Sequence, residues 1–368
     1  MNEPFGSRCA TALGRARKSG ALTLVVTKAE HVHYLSGFTG EDSWLILAAR
    51  RRILVTDSRF TEEAETTAAG WQVQRRQGPI ALEAAGLLKT LALPAGFEGA
   101  SLSVETHRVL ARALRKKAAL VETNGLVESI RLCKDRFEIQ SIRKAIAAAE
   151  TAFEVTLRSV NSRSTESSVA AELEHNMRLA GAQGAAFPTI SACEPSSSLP
   201  HAKPGSKRLC DSPTLLLDWG ARVGRYNSDL TRVVAWGKVS PAIHRMYKVA
   251  RAAQKAALSL VGPGIPAARV DAAARKVIAD AGFGEFFGHG LGHGVGLEIH
   301  EGPTLSPKST VRLKPGMVVT VEPGIYLPGV GGVRVEDMVL ITLTGAEILT
   351  HVGRNPLSLG ILAGRRVP

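Results

Sequence analysis

Four acidic residues interrupt apolar runs of strand length in one part of this 368-residue chain. Asp218 follows three leucines in "LLLDWG", and Asp229 stands just ahead of the run "LTRVV". Glu322 interrupts "VVTVEPGIY", and Glu336 interrupts "GVRVEDMVLI". A strand interior disfavours Asp, and a carboxylate on a buried sheet is costly unless it is paired or metal-bound. Arg232 and Arg334 lie in the same runs and are candidate ion-pair partners for one or two of the acids. All four acids together point to a shared cation site. Their spacing agrees, because Asp218 and Asp229 flank an expected hairpin at Val223–Gly224, and Glu322 and Glu336 flank the glycine-rich turn "PGVGG". Each hairpin would then deliver two acids to the same region.

Histidines stand close by in sequence, in "HGLGHGVGLEIH", residues 289–300. The spacing of His289 and His293 matches the i, i+4 pair that grips zinc on a helix. Alternating glycines speak against that helix, since each costs about 1 kcal/mol relative to alanine. The zinc-protease pattern HExxH also fails, because Thr304 stands where its second histidine belongs, and no register fits G-x-G-x-x-G. Four carboxylates with a histidine make an oxygen-dominated donor set, which favours Mn²⁺ or Co²⁺ over a zinc site built from His and Cys. Four acids exceed what one small metal with an open position needs. They suit two ions about 3.5–4 Å apart that share a hydroxide.

Composition excludes several other classes. No apolar run reaches the roughly 18 residues that span a bilayer, and the N-terminus lacks the apolar core of a signal peptide. Cys9, Cys133, Cys193 and Cys210 are scattered with no CxxC, as expected of reduced thiols in a cytoplasmic protein. The net charge of +13 invites a nucleic-acid reading. The basic residues are spread, however, and aromatics make up only 5%, so base-stacking platforms are scarce. Nucleic acid and membrane are therefore not expected partners.

Patterning divides the chain near residue 130, giving expected domains of 1–130 and 131–368. The first part alternates strand runs ("ALTLVV", "SWLILA", "RRILVT") with helical ones ("RFTEEAETTAAG", "GPIALEAAGLLKTLAL", "HRVLARALRKKA"), which suggests an α/β domain. A long helix is expected from about Asp135. Further helices are expected at "VAAELEHNMRLAGA", at "PAIHRMYKVARAAQKAALSLV" and behind Pro266. The four acid-bearing runs do not alternate with these helices as a parallel sheet demands. Paired hairpins packed under helices, an α+β layout, fit better.

The segments "LLLDWGARVGRYNSDLTR", "FFGHGLGHGVGLEIHEGP", "TVEPGIYL" and "GGVRVEDMVLIT" resemble the metal-ligand blocks of the pita-bread metallopeptidases, in that family's order. These are the Xaa-Pro aminopeptidases, the prolidases and their creatinase-like relatives. "PHAKPGSKRL" resembles the family's histidine segment, and "HYLSGFTG" with "LVTDSRFTEEA" resembles its smaller N-terminal creatinase/prolidase-type domain. The resemblance implies a C-terminal pita-bread domain holding two divalent metal ions, Mn²⁺ first, with Co²⁺ or Zn²⁺ as alternatives. It makes Asp218, Asp229, His293, Glu322 and Glu336 the ligands, with Asp229 and Glu336 as bridges. His289 and His300 would donate to the scissile carbonyl, His201 would enclose the proline side, and Arg334 would hold a ligand carboxylate.

The implied reaction is attack by a metal-bridging hydroxide on the carbonyl preceding proline. Histidine N–H groups would stabilise the oxyanion and Glu322 would carry the proton to the leaving nitrogen. Peptidases that grip an extended backbone are poorly suited to proline, which has no N–H and a fixed φ. Prolidases often carry Arg after the HExP motif, to hold a dipeptide's carboxylate; this chain has Thr304. With "GFTG", that tilts the expectation to an Xaa-Pro aminopeptidase, with prolidase as the alternative. The chain also departs from the family's pattern at Arg225 and Glu194, where glycine is common. A pita-bread module without metals, which would serve only in binding, normally lacks ligands that this chain retains. Relatives are commonly homodimers.

Overall fold

Apolar runs near the N-terminus build a six-stranded sheet in the computed structural model, which describes residues 5–115, 119–236 and 238–353. Its strands are β1 (Thr23–Val26), β2 (Trp44–Leu47), β3 (Arg52–Thr56), β4 (Gln72–Arg75), β5 (Ala95–Glu98) and β6 (Leu120–Thr123), in the order β4-β3-β2-β1-β5-β6. β1 and β2 are buried at every position, which is why they read as unbroken apolar runs. The sheet is mixed: β2 runs antiparallel to β1 and β3, while β4, β5 and β6 join in parallel. Edge strand β4 carries one apolar residue in "QVQR" and β6 is only partly buried, so neither stood out by pattern. The accompanying helices are α1 (Phe5–Lys18), α2 (Ala29–Ser36), α3 (Thr61–Thr67), α4 (Ile80–Leu88), α5 (Val104–Leu114) and α6 (Leu126–Arg131). Residues 116–118, the end of the expected helix "HRVLARALRKKA", lie outside the described residues.

Glu98, at the end of β5, is the buried polar hub of this unit. Its carboxylate accepts from the Thr27 and Lys28 amides at 2.6 and 3.0 Å and bonds the fully buried His31 ring. Burial pushes the Glu98 carboxyl up, but His31 and the two amides outweigh it and hold it below its usual value. A depressed native pKa contributes stability above the unfolded carboxyl's range, lost as pH falls through the native value. Glu98→Ala is expected to destabilise this unit by about 3–5 kcal/mol, the cost of breaking a buried pair. Urea titration at neutral pH reads the effect. The difference from wild type should shrink as the pH falls below about 4; a constant difference would contradict the assignment.

The chain splits into two units, 1–131 and 132–368. The second opens on α7 (Arg136–Ser159), the long helix expected from about Asp135, and a capping box starts it. Asp135 accepts from the Phe137 and Glu138 amides, and Glu138 reaches back to the Asp135 amide. There follow α8 (Glu166–Leu179), β7 (Gly184–Ala185), β8 (Ile190–Cys193), β9 (Thr214–Trp219), β10 (Ala221–Val223), β11 (Tyr226–Asn227) and β12 (Leu230–Ala235). Next come α9 (Pro241–Leu258) and α10 (Ala267–Asp280). The remaining strands are β13 (Gly292–Gly294), β14 (Glu301–Leu305), β15 (Val318–Val321), β16 (Gly324–Leu327), β17 (Gly331–Arg334), β18 (Asp337–Ile341) and β19 (Ala346–Ile348). The sheets run β12-β9-β8, β11-β10-β7, β14-β13-β15-β18-β19 and β16-β17.

Two helix pairs cover these sheets. Phe153, Leu173 and Met177 of α7 and α8 pack with Leu215, Leu217 and Trp219 of β9, where the Phe153 and Trp219 rings stack at 4.6 Å. Met246 and Ala250 of α9 and Val270 and Ile278 of α10 pack over Val319, Val321 and Val333. Period two then explains "LLLDW". Leu215, Leu217 and Trp219 face α7 and α8, while Leu216 and Asp218 face the other way, where Leu216 joins the second core. All four cysteines are free thiols, and among the described residues no helix is long and apolar enough to cross a membrane.

Candidate metal centre

Both expected hairpins form, but each breaks in the middle, and the breaks carry the acids. β10 and β11 close on Gly224 and Arg225, both with positive φ, so Arg225 occupies a left-handed position that glycine takes more readily. Below the turn the pairing resumes as β9 with β12, Asp218 lying opposite Thr231. Asp229 falls in the gap between β11 and β12. The second hairpin pairs β16 with β17, then β15 with β18 as far as Val321 opposite Asp337. Glu322 and Glu336 occupy the gap between those two segments, facing each other in register. Only Asp218 therefore sits inside a strand; the other three acids, expected within strands, stand at irregular positions that let the backbone turn them inward.

The side chains meet in one cleft of about 810 Å³, lined by Asp218, Asp229, His293, Glu322 and Glu336 and also by His201, His289, His300 and Arg334. Asp229, His293 and Glu336 offer ligand atoms that all lie within 4.8 Å of one another. His293 Nε2 is 3.5 Å from Asp229 and 3.3 Å from Glu322. Its Nδ1 lies 3.1 Å from the Gly294 carbonyl, which can only accept, so Nδ1 carries a proton and Nε2 is the atom left to face the acids. Thr320 ties the two ligand segments together, accepting from the His293 amide at 3.0 Å and donating to Glu322 at 3.1 Å.

Burial pushes the Asp229 and Glu336 carboxyls far up, and the neighbouring carboxylates push them further. Burial also raises Asp218, against the pull of Arg334. Glu322 differs. Burial raises it too, but its hydrogen bond to His293 and the charge of that ring hold it at about 2. Asp218 Oδ1 and Glu336 Oε1 are buried with no hydrogen-bond partner. Four crowded carboxylates, two with orphaned oxygens, fit divalent cations as their missing counter-charge.

Arg334 ties this cluster to the cleft wall. It pairs with Asp218, donates from Nε to Thr231 at 3.0 Å, and donates from Nη1 to the Tyr326 hydroxyl at 2.7 Å. Thr231 in turn donates to Glu336 at 2.6 Å. Arg232, the other arginine expected near the acids, turns away. It pairs with Asp337, a fully buried acid that pattern alone did not single out.

The histidines differ in how free they are. His289 Nδ1 lies 2.7 Å from the Gly290 carbonyl and its Nε2 lies 3.1 Å from the Tyr326 hydroxyl. Burial lowers the His289 pKa and raises that of Tyr326 to about 12, so a neutral ring accepts from a protonated phenol. To donate to a substrate carbonyl, His289 must therefore gain a proton at Nε2 and release Tyr326. His300 lies with its ring 4.2 Å from that of His293, and its nitrogens have no hydrogen-bond partner among the described residues. His201 is exposed on the cleft wall next to Pro200, whose carbonyl accepts from Arg334 at 3.3 Å. Sequence reasoning missed Tyr326 and Thr231, because what marks them is a contact and not a pattern.

The alternating glycines serve the sheet. A Cβ on Gly292 would lie 2.1 Å from the Thr320 carbonyl oxygen, and one on Gly294 would lie 2.0 Å from that of Gly302. β13 runs between β14 and β15, and a side chain at either position would push it out.

Residues 140–343 match the model of metallopeptidase family M24, and residues 8–133 match the creatinase/prolidase N-terminal domain. An Xaa-Pro dipeptidase of Pyrococcus horikoshii is 40% identical over 244 residues, 66% of this chain and 70% of its own. The solved structure of an Xaa-Pro dipeptidase from Bacillus anthracis has a TM-score of 0.91 at 34% identity, covering 95% of this chain and 98% of its own. That of an X-Pro aminopeptidase from Thermotoga maritima MSB8 has a TM-score of 0.85 at 34% identity, covering 92% and 98%.

Proposed function

The chain belongs to metallopeptidase family M24, with the pita-bread fold of its catalytic unit, and from that premise we propose that it is an Xaa-Pro dipeptidase. The observation that carries the proposal is the convergence of Asp218, Asp229, His293, Glu322 and Glu336 on one cleft. Relatives named as Xaa-Pro dipeptidases, matched over much of the chain, favour a dipeptide over the longer peptides that Thr304 and "GFTG" suggested. Lys203 adds a physical reason. It is an exposed cation on the cleft wall, with no ion-pair partner among the described residues, and so is available to a dipeptide's terminal carboxylate.

When bound, two divalent ions supply positive charge that polarises a peptide carbonyl and lowers the pKa of water towards neutrality. Mn²⁺ suits the oxygen-rich donor set. In this proposal the protein's own groups do the rest. His300, with no hydrogen-bond partner among the described residues, donates to the carbonyl oxygen as it gains charge, and His289 joins it once its Nε2 has gained a proton and released Tyr326. Glu322, low in pKa and within reach of His293, accepts a proton and returns it to the departing proline nitrogen. His201 and the apolar wall of Phe187, Pro188 and Ile190 enclose the proline ring. A homodimer and a cytoplasmic setting belong to the same proposal.

The aminopeptidase reading stays second, favoured by Thr304 on the cleft wall and by the X-Pro aminopeptidase match. Purified protein with Mn²⁺ is expected to hydrolyse Ala-Pro and to leave Ala-Pro-Ala largely intact. Cleavage of the tripeptide alone would overturn the proposal in favour of the second reading.

A further inference from the structure

Helix α10 carries an ion pair that the chemistry above does not use. Asp271 is buried, and Arg275, one turn later, meets it through Nε and Nη2, each at 2.9 Å. Neither residue lines the cleft. Their remaining hydrogen bonds all go to one short segment. Arg275 Nη1 donates to the Phe287 carbonyl at 3.1 Å and Nη2 donates to the His289 carbonyl at 2.8 Å. Asp271 accepts from the Leu291 amide at 3.0 Å. The guanidinium also lies 4.3 Å from the Phe287 ring, whose own contact is the edge of the His289 ring at 5.0 Å. Three alternate residues of a stretch outside helix and strand are thus held by one fork-shaped contact. Gly288 and Gly290 between them give that stretch added backbone freedom.

We propose that the Asp271–Arg275 pair is the positioning element that sets His289 for turnover, acting from outside the cleft through the backbone at 287–291. The inference rests on the reading of His289 as a substrate-facing group. Arginine suits the task because its planar fork addresses two carbonyls and a carboxylate together, which a lysine ammonium cannot do. A reacting group displaced by about 1 Å loses on the order of a hundredfold in rate. The same segment leads on to the site, since the Leu291 carbonyl accepts from the Glu322 amide at 2.9 Å.

The test uses the full-length, Mn²⁺-loaded protein and the variants Arg275→Met, His289→Ala and their combination. Arg275→Met is expected to lower kcat for Ala-Pro between about tenfold and a hundredfold, with KM changed less than about threefold and metal content unchanged. In the His289→Ala background it should add less than about twofold, because both act through one ring. Hydrogen exchange supplies a reading that needs no substrate: the Leu291 amide should exchange faster in Arg275→Met while the amides of β15 and β18 do not. Fully additive losses, or unchanged Leu291 exchange, would overturn the inference. Should Arg275→Met fold poorly, Asp271→Asn keeps an acceptor for Leu291 yet removes the charge that holds Arg275, and the same coupling to His289 is expected. If the wild-type protein leaves Ala-Pro intact, the proposed function fails, and exchange at Leu291 still decides the clamp.

Discussion

His293→Ala is expected to lose bound metal and turnover together, while His289→Ala and His300→Ala keep metal and lose turnover. The expectation follows from where the nitrogens point. His293 Nε2 faces Asp229 and Glu322, and its Nδ1 is committed to the Gly294 carbonyl, so Nε2 is the atom placed to bind a cation among the acids. Without it the remaining donors are carboxylates that repel one another, and the cation they share is held less well. The loss of turnover should be on the order of 10³ or more, as when one member of a group that acts as a unit is removed. His300 has no hydrogen-bond partner among the described residues, so its removal should act on the reaction alone, by about 10² to 10³, the scale for one oxyanion donor. His289→Ala should cost less than His300→Ala, because in the free protein its Nε2 already belongs to Tyr326. Metal analysis of each purified variant beside steady-state kinetics on Ala-Pro separates these outcomes. Equal metal loss in all three would contradict the division of roles.

Arg334→Met should produce the second large effect, on stability in the absence of metal. Arg334 is buried and is the only guanidinium that pairs with any of the four acids among the described residues. Removing it leaves Asp218 beside Glu322 and Glu336 with less positive charge, and breaking such a buried pair costs about 3–5 kcal/mol. For a unit of this size that is a fall in Tm of roughly 10 °C. Saturating Mn²⁺ should recover part of it, since the cations supply counter-charge to the folded state alone. Arg334→Lys should rescue little, because one ammonium cannot span Asp218, Thr231 and Tyr326. Thermal unfolding with chelator and with Mn²⁺ reads both parts. A Tm unchanged in chelator would show that the pair contributes no net stability.

Much of the fold was legible where burial is complete on both faces. β1, β2 and β9 read as strands because every position is apolar or conspicuously wrong, and α7 was legible from the helical spacing of Phe137, Ile139, Ile142, Ala145 and Ile146. β4, β6 and the short β13 did not, since edges and glycine strands carry no apolar alternation to detect. In the site, the acids were legible because each breaks the rule of its own segment, and residues that break local rules mark function. The tilt to an aminopeptidase rested on a missing arginine at Thr304 together with the "GFTG" segment. A cation from another segment, Lys203, stands on the same wall, which a reading confined to one motif does not see.

Residue types and their order along the chain were enough to specify the donor set: two hairpins bearing carboxylates, a glycine-flanked histidine between them, and the helices that cover them. Such features are local, set by side-chain chemistry and by the periods of strand and helix. Packing settles which histidine nitrogen faces the acids, which arginine answers which acid, and that an ion pair on α10 grips the backbone around His289. Those outcomes depend on partners far apart along the chain, as Arg334 is from Asp218, and on distances of a few tenths of an ångström that no pattern encodes. The physical reason is that a hydrogen bond is specified by the geometry of two groups at once, whereas a sequence states only what each group is.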